Sequence, residues 1–359
     1  MSAERAPQAR PGSAAGWSLV SIDRCPGIRA LAWAGDALYA SRGYEVLRGS
    51  VRDGHIHWET VAGFRPALWR GLTCRNRLTS RLVRDGFHAL AVLPSGLLLG
   101  AVPGAIVTLA PGEFEFKTTH SVIRGTRPLH ITTTPDGRIF FGEYFDNPAR
   151  DEVHIFASSD RGNTWQVAYT FPKGAIRHVH NIAYDQWENC LWVLTGDYGA
   201  ECRILRASCD LKTIDVALSG NQQARAVAVV PAPEGLYFSS DTPLEANHVY
   251  HLDRGGKLST LCSLDSSSIQ GCRVGDAVFF STMVEPSDVN RDRRVHLYGC
   301  RAGGSWRSLL EWKKDFWPMR FFQYGNAFLP DGTNTTNYLA VTTVAVERDD
   351  LVTTILELG

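Results

Sequence analysis

A short alternating strand, a Gly or Asp turn and a second apolar strand recur seven times along the 359 residues. No other feature restricts the fold so strongly, because a repeat of this size stacks as one closed array. The copies are IRALAWAGDALYAS from Ile28, FHALAVLPSGLLLGAV from Phe87, LHITTTPDGRIFFGEY from Leu129 and VHNIAYDQWENCLWVLTGD from Val179. They continue as ARAVAVVPAPEGLYFSSD from Ala224, IQGCRVGDAVFFST from Ile269 and FQYGNAFLPDGTNTTNYLAVTT from Phe322. Most are followed by one or two further short strands, so each unit reads as a four-stranded antiparallel blade. The second position of each copy holds Arg29, His88, His130, His180, Arg225, Gln270 and Gln323. Their separations fit propeller blades of roughly 40 to 50 residues with some enlarged loops.

The last copy lacks a fourth strand after TTILELG, while GWSLVSI at Gly16–Ile22 has no blade of its own. Pairing the two closes the ring and removes an exposed sheet edge. The expectation is an all-β chain: a single seven-bladed β-propeller over residues 16–359, closed by its N-terminal strand. Residues 1–15 are polar and rich in Ala, Pro and Arg, and are expected to be disordered.

With 37 basic and 37 acidic residues the chain has no net field to recruit nucleic acid or an anionic membrane. The N-terminus has no apolar stretch of the signal-peptide kind, and no run reaches the length of a membrane span. The eight cysteines form no CxxC pair and read as free thiols, which points to a reducing, cytoplasmic setting.

The turn Ser158, Ser159, Asp160, Arg161, Gly162, Asn163, Thr164, Trp165 resembles the Asp-box, Ser-X-Asp-X-Gly-X-Thr-Trp, of sialidase-like (BNR) propellers. The resemblance implies a carbohydrate-related protein whose box lies away from the active face. The architecture is also similar to that of seven-bladed polysaccharide lyases and related glycosidases, including oligogalacturonate lyases.

Strand direction places the candidate site. The start of each inner strand and the end of the next share one rim, so the seven second-position residues meet Glu143, Tyr144, Asp197, Asp241 and Glu285 there. His178 lies two residues before His180 and faces the same side. The segment from Gly63 to Arg84 carries six arginines, Arg70 and Arg77 among them, and leads to the same face. A lone histidine in a strand is more often structural. Three at one position of successive blades are costly to bury unless paired or used.

Three chemistries suit these residues. In β-elimination of an acidic, uronic-acid-type saccharide, His130, His180 or Tyr144 takes the proton α to the carboxylate and Arg225 or a metal stabilises the enolate. Hydrolysis would use Glu143, Asp197 and Asp241 as paired carboxylates. A divalent metal held by His88, His130 and His180 is the third. His178, Arg29, Gln270, Gln323, Arg70 and Arg77 are the expected substrate-binding residues. The alternative from a different class is a non-catalytic propeller that binds a glycan or a protein.

Overall fold

The computed structural model describes residues 18–359 and is a seven-bladed β-propeller. The expected disordered segment 1–15 lies outside the described residues, as do Gly16 and Trp17. The ring closes as the sequence predicts: Leu19–Pro26 pairs antiparallel with Val352–Leu358, from Leu19 opposite Leu358 to Pro26 opposite Val352. Blade 7 is thus built from both ends of the chain.

Six sheets have four strands and one has five. Blade 1 contains Arg29–Gly35, Ala37–Arg42, Glu45–Arg52 and His55–Gly63, and on its axial side Asp331–Asn334 runs parallel to the inner strand. This extra strand leaves blade 7 after Asn326–Phe328 and crosses to its neighbour. Gly332 makes the crossing possible, because a Cβ there would lie 2.2 Å from the carbonyl oxygen of Trp33. The repeat pattern predicts this stretch in the blade 7 hairpin, whereas it pairs with blade 1.

The buried apolar residues fall into seven clusters, each between two adjacent blades. Blade 3, for example, contributes Phe140, Val153 and Ile155 against Val179, Ile182 and Leu191 of blade 4. Alternation along each strand supplies one face to either neighbour. Each fully buried Phe or Leu contributes roughly 1.5–3 kcal/mol. The core therefore sits between blades.

Helices are confined to one face. Two short ones, Leu68–Thr73 and Arg77–Val83, fill the arginine-rich insert between blades 1 and 2, and a third, Met319–Phe322, precedes blade 7. Asn76 caps the second helix by accepting from the backbone N–H groups of Leu78 at 3.0 Å and Thr79 at 3.3 Å.

The turn from Ser158 to Trp165 is closed by its own side chains. Asp160 accepts from the Thr164 backbone N–H at 2.9 Å and the Thr164 hydroxyl at 2.6 Å. Those bonds hold its carboxyl at about 2. Trp165 packs on Phe141, with ring centroids 5.0 Å apart. The turn from Ser208 to Thr213 has a similar bond, from the Ser208 hydroxyl to Asp210 at 2.6 Å.

Candidate functional site

The inner strand of blade 4, His178–Asp185, carries the densest cluster of ionisable groups on the axis. Its register with the next strand shifts between Val179 and Asn181, so that His180 is an extra, bulged residue. Bulges re-aim side chains. Here the bulge lets His178 and His180 turn toward each other, and their Nε2 atoms lie 3.0 Å apart. Both rings are buried.

Each ring is anchored through its other nitrogen. Nδ1 of His178 lies 3.2 Å from the carbonyl oxygen of Phe145, and Nδ1 of His180 lies 2.9 Å from that of Ala226. A carbonyl oxygen only accepts, so both Nδ1 atoms carry the proton and both Nε2 atoms present lone pairs. Asp197 Oδ1 joins them, 3.2 Å from His180 Nε2 and 3.5 Å from His178 Nε2. Gly196 aims that carboxylate. Its φ of +147° suits glycine, and a Cβ there would lie 2.9 Å from the Cα of Cys202.

Two arginines flank the cluster. Arg177 reaches Asp197 at 3.4 Å, and Arg225 stands between Asp197 and Asp241 at 3.6 Å from each. Burial, the largest influence, pushes the Asp197 carboxyl up, but its close contacts with the imidazoles of His178 and His180 outweigh it and hold the group well below its ordinary value. Burial and the neighbouring Asp241 raise Glu285 to about 6. Asp241 Oδ1 is buried and has no hydrogen-bond partner. Tyr144 packs its ring 4.3 Å from that of His178, and burial together with Asp241 and Asp197 lifts its hydroxyl to about 12.

The opposite side of the mouth is cationic. Burial and the nearby guanidiniums of Arg29 and Arg84 lower Arg127 to about 9. Burial lowers Arg29 to about 10, with Asp331 opposing the shift. Among the described residues Arg29, Arg84 and Arg127 form no ion pair, and the buried Nε of Arg29 has no hydrogen-bond partner. His88 ties two of them together: Nε2 donates to the Arg84 carbonyl at 2.8 Å, and Nδ1 accepts from Arg29 Nη1 at 3.3 Å. Burial, Arg127 and Arg29 all keep His88 neutral. Arg29, His88 and Gln323 line a cavity of about 1100 Å³ beneath the helical insert. Tyr144 joins the two sides, because it lies within electrostatic reach of Arg127 and of Arg225.

Several expected site residues lie elsewhere. His130 does not share the rim with His88 and His180. It bonds Asp331 at 3.0 Å and lines a separate cavity of about 900 Å³ around the lower axis. Burial would lower its pKa, but Asp331 outweighs burial and raises it. The metal trio His88, His130 and His180 is therefore not assembled; the compact axial donor set is His178, His180 and Asp197. Glu143 is not a site carboxylate either, since Arg124 holds it through Nε at 2.9 Å and the His154 backbone N–H donates to it at 2.8 Å.

Arg70 pairs with the buried Asp85 at 2.7 Å, and Arg77 with Asp350 at 3.2 Å, so both serve the insert's own structure. Gln270 accepts from the backbone N–H of Leu329 at 3.4 Å, and Gln323 donates to the Arg81 carbonyl at 2.9 Å. All eight cysteines are free.

Arg84 ends the arginine-rich segment expected at this face, whereas Arg127, Arg177 and Asp331 are site residues that the sequence pattern does not mark. The hairpin turns carry a signal for the register of His130. Leu93 and Thr134 make the same hairpin bond, from Leu93 N to Leu97 O and from Thr134 N to Arg138 O. Counting back from those turns sets His88 against Leu129, one residue before His130, and a one-residue slip reverses which way a side chain faces.

No protein-family model matches the chain, and no curated protein matches it. Solved structures do. The WD40 β-propeller domain of Doa1 superposes with a TM-score of 0.58 at 12% identity, covering 95% of this chain and 97% of that one. A chain of the mitotic checkpoint complex gives 0.57 at 10%, over 98% and 99%. The β-propeller domain of Myceliophteria thermophila Cps50 (Swd1) gives 0.55 at 11%, over 94% and 98%. These likenesses are of fold alone and lend no support to kinship with sialidases, lyases or glycosidases.

Proposed function

We propose that the mouth binds a small acidic saccharide and cleaves its glycosidic bond by β-elimination. The observation that carries this reading is the division of the mouth: Arg29, Arg84 and Arg127 form no ion pair on one side, and Tyr144 lies between them and the acids Asp241 and Glu285 on the other. Three neighbouring guanidiniums repel one another and are relieved by an anionic ligand. A uronate carboxylate held there loses negative charge, which acidifies the adjacent C5–H bond.

The proton passes to the Asp241 and Glu285 pair, where Asp241 Oδ1 has no other partner and Glu285 lies near neutrality. A C4=C5 double bond forms as the C4–O bond breaks. Tyr144, protonated at neutral pH, gives its proton to the leaving oxygen.

The test is a screen of uronic-acid oligosaccharides for the ultraviolet absorbance of the unsaturated product. Asp241→Asn should lower kcat by about 100-fold or more, in the range of a lost general base. Arg127→Ala should raise KM and lower kcat together. If no acidic saccharide binds or turns over, the reading is wrong.

A second reading has its own observation. Leu68, Trp69 and Leu72 on the first helix, Leu82 on the second and Phe321 on the third are exposed on mutually packed helices. Such a patch suits a protein partner. Capture of a partner lost on Trp69→Ser and Leu72→Ser, with no saccharide turnover, would favour a binding propeller.

A further inference from the structure

We infer that His178, His180 and Asp197 form a binding site for one divalent first-row transition-metal ion, held in the mouth beside Tyr144. Three acceptor atoms converge with no donor between them, since both Nδ1 protons are already given to backbone carbonyls. The gaps separating His178 Nε2, His180 Nε2 and Asp197 Oδ1 are 3.0, 3.2 and 3.5 Å. Ligands about 2.0–2.1 Å from a tetrahedral zinc ion stand roughly 3.3 Å apart, so the spacing already suits a central ion.

The surroundings fit as well. Each ring's second nitrogen is fixed by a carbonyl, as in metal centres where an outer partner sets the tautomer. Arg225 is balanced by Asp241, and Arg177 by Asp146 at 2.5 Å. That leaves Asp197 as the negative charge of a two-imidazole, one-carboxylate donor set. Such a set prefers zinc, manganese, iron or cobalt to calcium or magnesium. It supplies three ligands and leaves a position for water or substrate, the pattern of catalytic centres. Within the elimination reading, on which this role alone depends, the ion would hold the sugar on the side of the mouth opposite the arginines.

Metal binding tests the assignment. The full-length protein, stripped with chelator and exchanged into metal-free buffer, is titrated with Zn²⁺ by calorimetry, without saccharide. The expected result is about one equivalent bound per chain. His178→Ala and His180→Ala should each weaken it by more than about 100-fold, beyond the loss typical of an outer partner. Asp197→Asn keeps the shape of the side chain and should weaken binding while melting near the wild type.

A second cluster, Asp265, Asp292 and His296, lies at the edge of blade 6, and Asp292→Ala controls for it by leaving the titration unchanged. Binding well below one equivalent, binding indifferent to both histidine variants, or binding lost only in Asp292→Ala would overturn the site. Because no saccharide is present, a bound ion in a protein that turns over no saccharide leaves the metal site standing and removes only the elimination reading.

Discussion

Replacing Arg81 by Met should unpin the helical insert that carries Arg84 to the mouth. Arg81 is 3% exposed; its guanidinium bonds Asp315 at 2.6 Å, Asp350 at 2.9 Å and the Phe322 carbonyl at 3.0 Å. Removing one partner of a buried ion pair costs about 3–5 kcal/mol when the other is left alone. Neither acid is left entirely alone here, because Lys314 also bonds Asp315 and Arg77 lies 3.2 Å from Asp350. The methionine also retains much of the buried aliphatic volume. The loss should therefore fall below that range, at about 2–3 kcal/mol.

For a chain of this length the unfolding entropy makes each kcal/mol worth roughly 1.4 °C, so Tm should drop by about 3–4 °C in a calorimetric scan. Hydrogen exchange should quicken across residues 68–84 before the blades respond, because local opening draws on the least buried contacts. A Tm within about 1 °C of the wild type, with unchanged exchange in the insert, would refute the reasoning.

Gly142→Ala would place a Cβ 2.3 Å from Val179 Cγ1, beside the histidine strand, and should cost about 1–3 kcal/mol in urea unfolding while weakening metal uptake. Gly196→Ala forces a strained φ at the residue before Asp197, and should reduce Zn²⁺ affinity more than it reduces Tm. Acidification should destabilise the chain. Burial lowers the pKa of His88, His120 and His251 in the folded state, so below about pH 6.5 the unfolded state binds more protons and stability falls with pH, measurable by urea unfolding at stepped pH. His130 has the opposite sign. Asp331 raises its pKa, so its contribution fades as pH rises past that raised value, and Asp331→Asn should flatten this alkaline loss.

The propeller was legible because period-two alternation and recurring turns are local signals that hold whatever the blades later touch. Closure was legible for a related reason: an orphan strand at one end and a missing strand at the other specify each other. The crossing of Asp331–Asn334 into blade 1 was not, since it depends on an approach of backbones hundreds of residues apart. At the site, His178, His180, Asp197, Arg225 and Asp241 followed from strand direction and were brought together. Glu143, Arg70 and Arg77 were misread because their partners, Arg124, Asp85 and Asp350, come from loops whose paths no periodicity records. His130 was misread because the inner strand of blade 3 is only Thr132–Thr133, too short for its alternation to fix a register.

A crystal structure of the wild-type protein soaked with a uronic-acid oligosaccharide tests the central claim most directly. The account predicts a sugar carboxylate in hydrogen-bonding contact with Arg127 and with Arg29 or Arg84, and the adjacent ring within reach of Tyr144 and Asp241. A saccharide seated in the lower axial cavity around His130 and Asp331, or a mouth that stays empty while the arginines keep their places, would contradict it.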